Sequence, residues 1–293
     1  MDKFYIITNH DKDPEHTTTD MIRNYLEEKG KICYVQDGAK SRPAACEEES
    51  GLRQAKYTDA SRIPADVECV LVLGGDGTLL QASRDLVDTG LPLLGINMGT
   101  LGYLAEIEHQ NIRFALDRLI SGDFTIEERM MIRGAAWHHS KKLMEDLALN
   151  DIVIGRRGRL RVVDFNIYVD GTFLCAYRAD GIIISTPTGS TGYSLSAGGP
   201  IVAPNASLML LTAIAPHTLN SRTIVLPDDV EIAVELGGDH LLDSEGAEAT
   251  FDGDTSVKLN LGNVIRITKS SRKTQLIKIN NTSFVEILRK KMN

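Results

Sequence analysis

The run Val70-Leu71-Val72-Leu73-Gly74-Gly75-Asp76-Gly77-Thr78 decides how this chain folds. Consecutive apolar residues ahead of a glycine turn read as a strand buried on both faces, as strands of a parallel sheet are. Ligands bind where such strands end. Gly74, Gly75 and Gly77 lack the side chains that would hold an anion away from the backbone, and a helix beginning at Thr78 would point free N–H groups at it. A carboxylate in that setting needs its own explanation. Asp76 would repel a phosphate unless it binds a cation or accepts a proton during a reaction, which makes it the candidate catalytic group. The competing reading is a tight turn in which the aspartate bonds its own backbone.

Three common nucleotide sites are excluded. The residues after Gly77 are Thr78, Leu79 and Leu80, so the third glycine of the dinucleotide fingerprint is missing, and no GxxxxGK[ST] motif occurs. Residues 251 to 253 read Phe-Asp-Gly, not the Asp-Phe-Gly of protein kinases.

Outward from the glycine turn, short apolar runs alternate with helical patterns. Strands are expected at 3–8, 31–36, 67–73 and 93–97, and helices at 19–29, 79–87 and 111–120. This is an α/β domain with a parallel sheet over residues 1–124. Beyond Phe124 the pattern is almost entirely β, giving a second, β-rich domain over 125–280. Asp170-Gly171 and Asp252-Gly253 stand between alternating apolar residues as hairpin turns do. Phe165, Ile167 and Val169 before the first turn, and Phe173, Cys175 and Tyr177 after it, are expected on one buried face. A short amphipathic helix at 283–290 is expected to pack back on the first domain. The polar stretch 37–62, with Glu47-Glu48-Glu49, reads as a mobile surface segment and solvated charge.

The chain has 293 residues, 42% of them hydrophobic, enough for a large core, and a formal net charge of −8. That balance argues against nucleic acid as a partner. No apolar run is long enough to span a bilayer, so no membrane is expected. Met1-Asp2-Lys3 leads straight into a strand pattern without the features of a secretory signal, which points to the cytoplasm. Cys33, Cys46, Cys69 and Cys175 are too scattered for a zinc site or a disulfide framework and read as free thiols.

A second constellation runs from Asp180-Gly181 through Ile182-Ile183-Ile184 into Ser185-Thr186-Pro187-Thr188-Gly189-Ser190-Thr191-Gly192-Tyr193-Ser194-Leu195-Ser196. Its hydroxyls and glycines suit ribose and phosphate oxygens, and Tyr193 offers a face to a base. A ligand-free polar loop is the competing reading. Asn150-Asp151 could read an adenine edge and a ribose diol, or simply form a turn or helix cap.

Taken together, the glycine-Asp turn, the stretch Asn97-Met98-Gly99-Thr100-Leu101-Gly102-Tyr103-Leu104, the Asn150-Asp151 pair and residues 179–202 resemble the ordered motif set of NAD kinases. The resemblance covers about residues 67–255. It implies transfer of a phosphoryl group from ATP, with Mg²⁺, to the adenosine ribose 2′-hydroxyl of NAD, giving NADP. It also implies Asp76 as proton acceptor with Gly74, Gly75, Gly77 and Thr78 around it, and Asn150 and Asp151 at the adenosine end. Arg178, Asp180 and, by looser similarity, Arg161 would stand near NAD, and Thr191, Gly192, Tyr193, Ser194, Leu195 and Ser196 would wrap it, in a site between the domains. A homo-oligomer, dimer or tetramer, is implied as well. Three departures from the family pattern are Asp151, where Glu is common, Gln81, where Arg is frequent, and Gly192, often Ala. The alternatives are a lipid kinase of the diacylglycerol or sphingosine type, which shares the glycine motif, and a non-catalytic dinucleotide-binding sensor.

Overall fold

The computed structural model describes residues 1–36, 52–53, 57–99, 102–105, 107–158, 162–218, 221–237, 246–279 and 283–292. The chain forms two compact units. One comprises Met1–Ala44, Lys56–Arg129 and Lys273–Asn293; the other comprises Ala45–Ala55 and Met130–Arg272. The strand Asn263–Lys278 therefore begins in the second unit and ends in the first.

In the first unit, Ile32–Val35, Lys3–Thr8, Cys69–Gly74 and Leu93–Asn97 lie side by side in that order, all parallel. Leu276 pairs in parallel with Leu93 on the far side. Phe4, Ile6, Leu71, Leu73, Leu94 and Ile96 form the core with Ile22 and Leu26 of the helix Thr17–Glu28 and with Leu116 and Leu119 of the helix Ile112–Ser121. Ile277 and Ile279 come from the chain's far end to complete it. The helix Phe284–Met292 also belongs to this unit, with Ile287 buried.

Helix boundaries depart from the sequence reading for local reasons. The first helix starts at Thr17 because the buried Asp13 carboxylate accepts the N–H groups of Thr18 and Thr19 and the Thr19 hydroxyl, capping it from outside the helix. The helix after the glycine turn starts at Asp76, not at Thr78: Gly75 is extended, and its carbonyl already accepts the Thr78 and Leu79 N–H groups.

In the second unit an antiparallel sheet runs Ile224–Pro227, Leu208–Ile214, Gly181–Ser185, Asp151–Arg156, Ala247–Phe251, Thr255–Leu259, Leu52–Arg53. Leu52–Arg53 thus forms a strand within the polar stretch read as a surface segment, while Glu47, Glu48 and Glu49 lie outside the described residues. The register positions the chemistry. Asp151 lies opposite Ser185, and Ile152 opposite Phe251, so Asn150-Asp151, the hydroxyl-rich segment and the Asp252 turn meet at one end of the sheet.

Both Asp-Gly pairs are hairpin turns, with Asp170 and Asp252 in the left-handed region at φ 48 and 49. The face assignment after the first turn needs correction. The pairing shifts between Ile167, opposite Cys175, and Tyr168, opposite Phe173. This bulge at Leu174 reverses the alternation, so Phe173 is exposed and meets Tyr168 edge-on at 5.6 Å, while Phe165 and Ile167 stay buried. Cys33, Cys69 and Cys175 are free thiols, with Cys69 fully buried; Cys46 lies outside the described residues.

Phe165 is among the largest fully buried side chains of the second unit. Phe165→Ala is expected to cost about 3–5 kcal/mol, read as a lower denaturation midpoint for that unit. A midpoint unchanged from the parent would mean that Phe165 is not part of a close-packed core.

Candidate functional site

In the first unit the site is built around one carboxylate. Asp76 opens its helix, and its side chain turns away from the helix axis to the segment after the strand Leu93–Asn97. Asp76 Oδ2 accepts the Tyr103 N–H at 2.7 Å, and Oδ1 accepts those of Leu104 and Ala105 at 3.1 and 3.0 Å. A Cβ on Gly102 would stand 1.9 Å from Asp76 Oδ1, so the residue that lets the two segments close has to be glycine. The carboxylate is held in one orientation, with a lone pair on Oδ2 still to be used.

The floor around it is equally determined. The Leu73 carbonyl accepts the Asn9 N–H, the Asn9 amide donates to the Thr78 hydroxyl at 3.0 Å, and the Met98 N–H reaches the Gly74 carbonyl at 2.8 Å. Around Gly75 and Gly77 an added Cβ would meet none of the described residues within 4 Å, so among them the start of this helix has an open side. Helix N-termini carry unsatisfied N–H groups and partial positive charge. The same Asn9 loop brings in Lys12, whose ammonium stands 3.4 Å from where a Gly99 Cβ would be. Nothing in the sequence marked Lys12; only the fold of the loop brings it beside residue 99.

In the second unit the Asn150-Asp151 pair is clasped from two sides. The Thr186 hydroxyl donates to the Leu149 carbonyl at 2.6 Å, the Thr186 N–H to that of Asn150, and a Cβ on Gly189 would fall 2.1 Å from the Asn150 carbonyl. From the other side Asp252 accepts the N–H groups of Leu149, Asn150 and Asp151. Asp151 is almost fully buried, and the Tyr193 N–H faces its carboxyl. Burial first, then the charge of Asp252, pushes its pKa up to about 7. The buried Asn150 Oδ1 has no partner among the described residues, which leaves an acceptor beside Asp151. Position 192 lies over both: a Cβ there would come within 3.3 Å of Asn150 Nδ2 and 3.7 Å of Asp151 Oδ2.

The remaining candidates separate into groups. Thr191 donates to the Thr188 carbonyl, Tyr193 and Ser196 are exposed, and Leu195 is half-buried. Ser194 is fully buried, and its hydroxyl bonds that of Thr212, which in turn bonds Thr223. Asp180 pairs with Arg156 at 2.9 Å, and the exposed Arg178 with Asp164 at 3.3 Å. Arg161 lies outside the described residues, as do Thr100 and Leu101. Among the described residues no group of three or more His, Cys, Asp or Glu could hold a metal, and no helix is long and apolar enough to cross a membrane.

The comparisons with known proteins agree with one another. The family model for the ATP-NAD kinase N-terminal domain matches residues 4–124, and that for the C-terminal domain matches residues 149–279. The chain is 42% identical to the NAD kinase of Lachnospira eligens, covering all of both chains, and 43% identical to that of Lachnoclostridium phytofermentans over 99% of each. Among solved structures, an NAD kinase from Archaeoglobus fulgidus in complex with ATP shares the fold at a TM-score of 0.75 and 24% identity, covering 98% of each chain. Yeast NADH kinase complexed with NADH matches at a TM-score of 0.80 and 24% identity, over 99% of this chain and 86% of that one.

The raised pKa of Asp151 has a consequence for stability. Its proton is bound more tightly in the folded protein than in the unfolded chain, so this group contributes stability below the unfolded value of 3.8 that is lost as the pH rises through about 7. Asp151→Asn removes that dependence. Its melting temperature relative to the parent is expected to climb between about pH 4 and about pH 7, and a difference that ignores pH over this range would contradict the assignment.

Proposed function

The chain belongs to the NAD kinase family, and from that premise we propose how its own residues carry the reaction. The activity is ATP-dependent phosphorylation of NAD at the adenosine ribose 2′-hydroxyl, giving NADP. With the matched models and relatives all NAD kinases, the lipid-kinase and sensor alternatives are left without support.

The observation that carries the mechanism is the triply anchored Asp76. The free lone pair of Oδ2 takes the proton of the 2′-hydroxyl as that oxygen forms its bond to the γ-phosphorus. The bond to the bridging oxygen breaks, ADP leaves, and the proton passes afterwards to solvent. In a loose phosphoryl-transfer transition state the nucleophile is only weakly bonded and loses its proton late, so a carboxylate within reach suffices as the acceptor. What the donors supply is aim, since a base must lie within hydrogen-bond reach of the proton it removes.

Mg²⁺ enters as part of the MgATP substrate. Mg²⁺ characteristically relies on substrate phosphates with one or two carboxylates. Its role is to spread the charge that develops on the transferring group. The open side of the helix start at Gly75 and Gly77 supplies N–H donors for phosphate oxygens. Lys12 supplies the cation that Gln81 does not, with Asn9 tying its loop to the helix start. Asn150 and Asp151 bind the adenosine end, Tyr193, Leu195 and Ser196 line the dinucleotide, and Gly192 leaves room for it. Thr191 and Ser194 shape that segment from behind, through their bonds to Thr188 and Thr212. Asp180, Arg178 and Arg161 act at the NAD end. The protein works in the cytoplasm as a homo-oligomer.

Asp76→Asn is expected to lower turnover by about 10²–10⁴ while KM for NAD stays within a few-fold, measured as NADP formed from NAD and MgATP. Near-normal turnover in the folded variant rules out Asp76 as the base. Lys12→Ala is expected to raise KM for MgATP by roughly tenfold with KM for NAD unaffected, and Lys12→Arg to restore most of it. An Ala variant with normal MgATP kinetics removes Lys12 from the site.

A further inference from the structure

We infer that Asp252 is a positioning residue for dinucleotide recognition, its carboxylate fixing the backbone turn from which Asn150 and Asp151 reach their ligand. The inference rests on the reading that these two residues bind the adenosine end of NAD.

Asp252 and Asp170 occupy equivalent turns, each the left-handed first residue of an Asp-Gly pair closing a hairpin. Turn chemistry accounts for an aspartate at both. It does not account for what Asp252 does next. Asp170 accepts one N–H, that of Glu231 at 2.8 Å. Asp252 accepts three consecutive ones: Leu149 on Oδ2 at 2.8 Å, and Asn150 and Asp151 on Oδ1 at 2.8 and 3.1 Å. The Asp252 N–H returns to the Asp151 carbonyl at 3.0 Å, so the two turns hold each other reciprocally.

Three converging N–H donors need an anion with two acceptor oxygens. An asparagine at 252 would present an NH₂ to at least one of these N–H groups and break the arrangement without changing size or turn preference. The charge has a second effect. The groups acting on the Asp151 carboxyl are its own burial, the Asp252 carboxylate and the Tyr193 N–H, and of these only Asp252 is charged. Neutralising residue 252 therefore lowers the pH at which Asp151 ionises, in the same direction as admitting water to the buried carboxyl would, so the separation of KM for NAD from kcat and KM for MgATP carries the distinction.

The test uses Asp252→Asn in the full chain, with Asp170→Asn as a control for the turn and Asn150→Ala as a control for the underlying reading. Asp252→Asn is expected to raise KM for NAD by about tenfold or more, leave kcat and KM for MgATP within twofold, and move the pH midpoint of KM for NAD below that of the parent. Asp170→Asn leaves all of these unchanged. If Asn150→Ala has no effect on KM for NAD, the adenosine assignment is wrong. If Asn150→Ala raises it while a folded Asp252→Asn matches the parent in both KM and pH midpoint, the positioning role is overturned. Should Asp252→Asn not fold, hydrogen exchange in the parent protein decides: slow exchange at the Leu149, Asn150 and Asp151 amides supports the inference, and exchange as fast as that of exposed turn amides overturns it.

Discussion

Backbone N–H groups gripping a carboxylate are what the functional parts of this protein depend on. Asp76 takes three in the first unit and Asp252 three in the second. Main-chain donors have no rotamers, so a carboxylate held by three of them is as fixed as the strands those donors flank. A site built this way needs few charged neighbours, which is how a chain of net charge −8 can handle polyphosphates.

The two carboxylates are put to different uses. In the mechanism proposed above Asp76 is the base, its carboxylate fixed by the three donors. Asp252 faces inward: its oxygens are spent on the turn at 149–151, and the residue it serves is Asp151. The price of that arrangement is a second carboxyl beside the first in a buried setting: burial, and then the Asp252 charge, push the Asp151 pKa up to about 7.

Much of this was legible in the sequence where the signal was local. Apolar runs marked the parallel strands, the Asp-Gly pairs marked both hairpins, and Gly74-Gly75-Asp76-Gly77 drew attention to Asp76 because a carboxylate is out of place in an anion cradle. What escaped is non-local or a matter of one residue's geometry. The extended Gly75 moved the helix start to Asp76, and the bulge at Leu174 turned Phe173 outward. The density of hydroxyls between 185 and 196 left a ligand-binding segment and a ligand-free polar loop both open, and spacing could not show that Ser190 bonds the Pro187 and Val202 carbonyls and Ser194 bonds Thr212 inside the protein. Asp252 read as an ordinary turn residue because its partners lie 101 to 103 positions away, and no spacing rule reaches that far.

The first unit draws its core from both extremities of the chain: Phe4 and Ile6 pack in the same cluster as Ile277 and Ile279, and Leu276 flanks Leu93. During synthesis, then, the nascent chain carries the Asp76 turn out of the ribosome long before the strand that flanks Leu93 has been translated. The first unit is begun before the second and completed after it, and a premature stop anywhere upstream of Leu276 leaves it without that closing strand.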